Sequence, residues 1–321
     1  MARYRRLCEA GSSMRRNAPW AAPAVPDLRA ALRQASVDMI TRYSVVLQGD
    51  PDKKRMRNPA QLRKRNKLVR ELAKSLDEIR EEVQVLDRAK LFWVARDMVP
   101  VAVTAAATLP EWTPDLVLPA DAGFLCWAKP AGTIPFAGHD KVPWDAAWWW
   151  RRADGILQIQ VGSRLTQRQD ILASYGASAP LWSGTTLLVN PSAPRTAEVE
   201  GSPDASECVS ILGATWLLMD QRTVAETRTL EARSVGSGAP SDVEPTPVSM
   251  VVLRKQLSQP REGAVAGSGR TYRSRWTVEP HWRQQPCGPQ WSQRKPVYIT
   301  EYTKGPPDAP VKTDKVHVWR R

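Results

Sequence analysis

One stretch limits this 321-residue chain more than any other: PAQLRKRNKLVRELAKSLDEIREEVQVLDR, residues 59–88. Leu62, Val69, Leu72, Leu76, Ile79, Val83 and Leu86 advance by steps of seven, three or four. That spacing puts them on one face of a helix of about 30 residues, with a seam like that of a helical hairpin or coiled coil. Asn58 supplies an N-cap, and Pro59 takes the first helical position, where its missing N–H costs nothing. A long helix with a single apolar stripe needs a partner surface. Residues 27–47 supply one, because Leu28, Leu32, Ala35, Met39 and Tyr43 repeat with helical spacing. Gly49-Asp50-Pro51 turns the chain between the two.

After a connection rich in Ala, Thr and Pro, from Pro100 to Ala122, the pattern shifts to short apolar runs. GFLCWAKP at Gly123–Pro130 reads as a strand. Residues 146–151 and 156–161 read as two strands joined by Ala153-Asp154-Gly155, a hairpin turn signal. Alternation through Trp148-Trp149-Trp150 sends neighbouring rings to opposite faces, one to the core and one beneath a helix. A further strand is predicted at 184–189 and a buried helix at 207–220, which TVAETRTLEA continues or follows with another helix. Residues 233–247 and 258–270 are rich in Ser and Gly. They bracket VSMVVLRK, read as one strand of a final sheet whose other strands fall near 271–283, 296–303 and 315–320. The expected fold is α+β: an N-terminal helical hairpin with one long amphipathic helix, then a mixed antiparallel β-sheet with a buried helix. The expected divisions are a disordered basic N-terminus at 1–26, a helical region at 27–110 and an α+β domain at 111–321, with flexible loops at 233–247 and 258–270.

The net charge of +13 is polarised. Residues 1–57 hold twelve basic and five acidic side chains, residues 91–269 fourteen and eighteen, and residues 270–321 eleven and four. Basic ends around a mildly acidic middle suggest an anionic partner, most commonly nucleic acid, or else serve solubility. Residues 53–70 carry nine basic side chains and no acidic one, making Lys53, Lys54, Arg55, Arg57, Arg63, Lys64, Arg65 and Lys67 a secondary basic patch. Cys8, Cys126, Cys208 and Cys287 are too scattered for a disulfide framework or a zinc site. The longest apolar runs are about half of a membrane span of ~20 residues. Arg15, Arg16 and Asn17 interrupt any signal-peptide core, so a cytoplasmic protein without a membrane partner is expected, translated from Met1 or Met14.

Aromatic rings and positive charge coincide after Arg270. Trp276, Trp282, Trp291 and Trp319 are interleaved with Arg, Lys and His. In RTYRSRWTVEPHWRQQ, alternation places Tyr272, Ser274, Trp276 and Val278 on one face and Arg273, Arg275, Thr277 and Glu279 on the other, until Pro280 breaks or bulges the strand. Val297 and Ile299 then alternate with Tyr298, Thr300 and Tyr302, which divides a core face from a basic, aromatic one. Stacking on Trp and Tyr with phosphate pairing by Arg and Lys is how single strands are held with little sequence reading. The candidate binding residues are Arg275, Trp276, His281, Trp282, Arg283, Arg294, Lys295, Tyr298, Tyr302 and Lys304. Competing readings make the tryptophans core and the cations a solvated rim, or make the surface a protein interface. Three histidines, His139, His281 and His317, form no cluster, and no phosphate loop, dinucleotide or nucleophile-elbow motif is present. His281 and Cys287 are six residues apart with no third partner. No cofactor and no metal are expected, and the chain is read as a binding protein rather than an enzyme.

WTVEPHWRQQPCGPQWSQRKPVYITEYTKGPPDAPV…VHVWRR resembles the ending of an accessory protein family of mycobacteriophages and related actinobacterial genomes. That family ends with an HWRxQ strand, a GPxxSQRKPxWI strand and a KGPxDAP turn. GFLCWAKPAGTIP, VPWDAAWWW and the run at Asn190–Thr196 extend the resemblance from about residue 30. The sequence departs from it at Pro280 and Trp291. The ending is also similar to that of type V-A anti-CRISPR-like proteins, associated with blocking Cas12a production at its messenger RNA or nascent chain. The resemblance implies roles for His281, Trp282, Arg283 and Lys304 in a phage or prophage protein, acting in the host cytoplasm on RNA, ribonucleoprotein or a nascent chain. A host-takeover module that binds a host or defence-system protein without nucleic acid, and a toxin-like nuclease using His281 with Arg283, are the alternatives.

Overall fold

The computed structural model describes residues 20–48, 58–136, 139–164, 181–196, 203–232, 245–254, 273–306 and 308–312. Both helices predicted from apolar spacing are present, α1 at Val25–Gln48 and α2 at Pro59–Arg88. Asn58 caps α2, its side-chain oxygen accepting the Ala60 N–H at 2.9 Å. Arg33 Nε meets Asp87 Oδ1 at 2.6 Å, so the helices run antiparallel. The segment expected to be disordered through Pro26 is structured from Trp20. Its ring packs on Trp93 with centroids 5.9 Å apart, and its Nε1–H donates to the Trp127 carbonyl at 2.8 Å.

The chain continues through β1 (Lys90–Val94), α3 (Met98–Ala106), β2 (Ala122–Trp127), β3 (Gly132–Phe136), β4 (His139–Trp144), β5 (Ala146–Arg151), β6 (Leu157–Arg164) and β7 (Leu181–Val189). Then come α4 (Pro203–Met219), β8 (Ala225–Ala232) and β9 (Thr246–Leu253). Seven of these strands form one mixed sheet in the order β7-β6-β5-β2-β1-β9-β8. β1 runs parallel to β2 and β9, and the other neighbours are antiparallel. The turn at Asp154-Gly155 joins β5 to β6, with Gly155 at φ +83° and Asp154 Oδ1 accepting the Ile156 N–H. Among the described residues, no helix is long and apolar enough to cross a membrane.

The inner strands β1, β2 and β5 read as near-continuous apolar runs because both faces are covered. On one face, Leu91, Trp93, Phe124, Cys126, Trp148 and Trp150 pack under α1 and α2 through Val25, Leu28, Leu32, Val85 and Leu86. On the other, Phe92, Val94, Leu125, Trp127 and Trp149 pack against α3 and α4. The tryptophan triplet is thus structural and fully buried, one ring to one side and two to the other. The rings fit over glycines: Gly123 and Gly213 leave no room for a Cβ against Trp149 and Trp112.

Four expectations change. Residues 27–110 are not a separate helical region, because β1 lies inside the sheet with its hairpin packed on it. The connection from Pro100 contains α3, since Pro100 falls in the first turn, where no N–H is needed. TVAETRTLEA contributes an edge strand, β8, rather than a helix; Leu, Glu and Ala favour helix locally, but β9 supplies a ladder to pair with. β9 lies between β1 and β8 in the main sheet, not in a C-terminal one.

Candidate nucleic-acid interface

Four short strands follow: β10 (Trp276–Val278), β11 (His281–Cys287), β12 (Gln293–Ile299) and β13 (Tyr302–Lys304). β10 pairs with β13 and β11 with β12, both antiparallel. The pairings Trp276↔Lys304 and His281↔Ile299 belong to one unbroken register. The two ribbons are therefore one hairpin about 40 Å long, interrupted in the middle. Carried across the gap, that register sets Glu279 opposite Glu301 and Pro280 opposite Thr300. Like charges face to face and a residue without an N–H both disfavour ladder bonds. Pro280 opens the ladder as expected, without a slip of register.

The hairpin is anchored chiefly by the face that carries Trp282, Gln284 and Tyr298, with Lys295 reaching in from the other. Trp282 and Tyr298 are cross-strand partners, their rings 5.0 Å apart and edge-on. The Trp282 Nε1–H donates at 2.8 Å to the Ala105 carbonyl in the last turn of α3, an oxygen that also accepts the Thr108 N–H at 3.3 Å. Tyr298 is 5 % exposed, its backbone N–H bonds to Gln221 Oε1, and burial raises its phenol pKa. Gln284 Nε2 donates to the Glu111 carbonyl, and Lys295 Nζ lies 2.5 Å from Asp220 Oδ2.

These contacts correct the expected division of faces. Tyr298, not Val297 and Ile299, points to the core; Val297 and Ile299 are half-buried on the opposite face beside Arg283 and His281. Sequence alternation located two faces but not which one meets α3 and α4. The large Trp282–Tyr298 pair takes the buried side because it removes more apolar surface from water. Tyr298, Trp282 and Lys295 are thus anchors.

Most of the remaining candidates are exposed, and Arg275 and Trp276 are half-buried. Arg283, Arg294, Tyr302 and Lys304 are exposed, and the Lys304 ammonium stands 6.0 Å from the Trp276 ring centroid. Arg275 is half-buried and pinned by its backbone, its N–H bonding the Pro310 carbonyl and its carbonyl the Lys312 N–H. His281 is exposed, with Nδ1 2.9 Å from the Glu279 carbonyl oxygen. It begins β11 and Cys287 ends it, about 20 Å apart along a strand, too far for a nucleophile–base pair.

The residue missed from the candidate set is Trp291 at the hairpin tip. It is 70 % exposed, and it and Gln290 both adopt positive φ, +60° and +53°. Its signal was the turn sequence Gly288-Pro289, with Gly288 at φ +74°. Of the secondary patch, Arg63, Lys64 and Lys67 are exposed on α2 and Arg65 is half-buried, while Lys53, Lys54, Arg55 and Arg57 lie outside the described residues. That patch belongs to the helices covering one face of the sheet and the hairpin to the elements covering the other. Among the described residues, no group of three or more His, Cys, Asp or Glu side chains is placed to hold a metal ion. Comparison with family models, with curated proteins and with solved structures returned no match.

Proposed function

We propose that this protein works by binding, and that the C-terminal hairpin grips single-stranded RNA, free or within a ribonucleoprotein. The observation that carries this reading is Trp291, held out in solvent on two consecutive residues in left-handed backbone. Such backbone costs on the order of 1 kcal/mol per non-glycine residue, and a large ring left in water gains nothing for the fold. Arg294 follows it on β12 and Lys304 lies further along the same face of the ribbon, while Arg283 adds an exposed cation on the other face. Residues 273–312 hold seven Arg or Lys against three Asp or Glu. A ring for base stacking and cations spaced along a ribbon match the way single strands are held. The resemblance of this ending to that of the anti-CRISPR-like proteins adds a motive for this reading, and a protein of that kind acts in the host cytoplasm.

The test is titration of the full chain into labelled oligouridylate at several salt concentrations. Binding whose logarithm falls linearly with log salt, by several counterions, supports it. No binding to RNA or single-stranded DNA, or binding indifferent to salt, sinks it.

A further inference from the structure

The outer half of the α1–α2 hairpin is bare. From Val37 to Val45, at Leu47 and from Asn58 to Ser75, no side chain is buried. With Arg33 beside Asp87, the end of α1 falls level with about residue 72 of α2 at equal rise. The first three turns of α2 therefore run on past the end of α1. Of the eight large apolar side chains exposed among the described residues, four lie on this half: Met39, Val45, Leu68 and Val69. Val45 and Leu68 keep 63 % and 64 % of their surface, far more than a packed seam leaves.

The same turns are cationic. From Pro59 to Arg70 there are five Arg or Lys and no Asp or Glu, at a helix end already carrying positive partial charge. The first carboxylate, Glu71, approaches Lys67 only to 3.8 Å, both largely in solvent. Such a pair neutralises little.

We propose that this tip docks an acidic amphipathic helix of another protein, laid along α1 and α2 as a third helix of a bundle. Its apolar stripe covers Val45, Leu68 and Val69, and its carboxylates meet Arg63, Lys64 and Lys67. The charge argues against other occupants. Residues 1–19 of this chain carry five Arg and one Glu, and residues 49–57 four basic and two acidic side chains, so both are basic themselves. The tip of a second copy repeats the same positive field. Nucleic acid would use the cations but leave Leu68 and Val69 in water. The surface belongs to the helices on the face of the sheet away from the C-terminal hairpin, so the inference is independent of RNA binding.

The probe is a labelled peptide of about three heptads with leucine at every a and d position and glutamate elsewhere, against a twin with lysine for each glutamate. The full chain is expected to bind the acidic peptide and not the basic one. Leu68→Ser with Val69→Ser weakens it roughly tenfold or more, and Lys64→Glu with Lys67→Glu reverses the preference. All four positions are exposed, so circular dichroism should show folded variants, and oligouridylate affinity should not change in the serine variant. Several results overturn the proposal: equal binding of both peptides, no effect of the charge reversal, dimerisation that Leu68→Ser abolishes, or tip variants that instead weaken binding to oligouridylate or to phosphatidylglycerol vesicles.

Discussion

The Trp148 indole N–H donates to Oε1 of Glu82 at 2.6 Å, joining the last third of α2 to the sheet through an enclosed carboxyl. Burial pushes the Glu82 pKa up to about 7, outweighing the Trp148 hydrogen bond, which favours the charged form. Between the ordinary carboxylate pKa of about 4.5 and 7, the folded chain keeps a proton that the unfolded chain has released. Protonation therefore stabilises the fold at low pH, and that stability is lost as pH rises through 7. Glu82→Gln keeps an acceptor for Trp148 and stays neutral. Urea unfolding of both proteins at pH 5 and pH 8 should show the glutamine variant gaining on the parent by up to about 3 kcal/mol at the higher pH. An unchanged difference between the two pH values would mean that the carboxyl is already ionised in the fold.

Asp145 is 1 % exposed and meets Arg164 through Nε and Nη2, each 3.0 Å from Oδ1, and through the Arg164 backbone N–H. Burial raises the Asp145 pKa despite that partner. The guanidinium also stacks 4.7 Å from the Trp20 ring centroid, tying the N-terminal segment to β6. Arg164→Met leaves a buried carboxyl without its cation and should cost about 3–5 kcal/mol. Adding Asp145→Asn should recover part of the loss, measured by chemical denaturation. If the double variant is no better than the single one, packing on Trp20 rather than charge explains the effect.

Trp282→Phe keeps a ring against Tyr298 but removes the N–H that serves the Ala105 carbonyl. A loss of about 1 kcal/mol is expected, and Trp282→Ala should lose about 3 kcal/mol or more. Hydrogen exchange should show the loss concentrated in residues 281–299. Uniform deprotection of the whole sheet would contradict the hairpin as an appended unit.

Trp291→Ala should leave the melting temperature nearly unchanged, because the ring is solvated. Its affinity for oligouridylate should fall by about 1–3 kcal/mol, the usual worth of one stacked base. Arg283→Ala and Arg294→Ala should each reduce the salt slope by about 1. Full RNA affinity in all three variants would move the interface elsewhere.

Much of this architecture is legible along the chain. The apolar spacing from Leu62 to Leu86 and the Asn58-Pro59 cap specify α2, and Asp154-Gly155 specifies the β5–β6 turn, because each depends on local geometry alone. β8 and α3 were hidden for opposite reasons. Leu230, Glu231 and Ala232 suit a helix until β9 offers a ladder, and Pro100 looks like a breaker until the helix start places it in the first turn. In the C-terminal hairpin, period two separates the faces, but burial of one depends on α3 and α4, which lie more than a hundred residues away in one case. Trp291, one of the four tryptophans of the basic ending, stays outside the candidate set because a turn residue carries no periodic signal.

From the amino-acid order alone come the helical hairpin, the strand alternation, the polarised charge and the aromatic-basic ending, since these need only near neighbours. The assembled molecule assigns each side chain its surroundings. It buries Tyr298 and ties Lys295 to Asp220, leaves Trp291 and the tip of α2 in water, and encloses the Glu82 carboxyl between α2 and the sheet. Exposure and local dielectric arise from contacts between distant segments, and no window of sequence contains them.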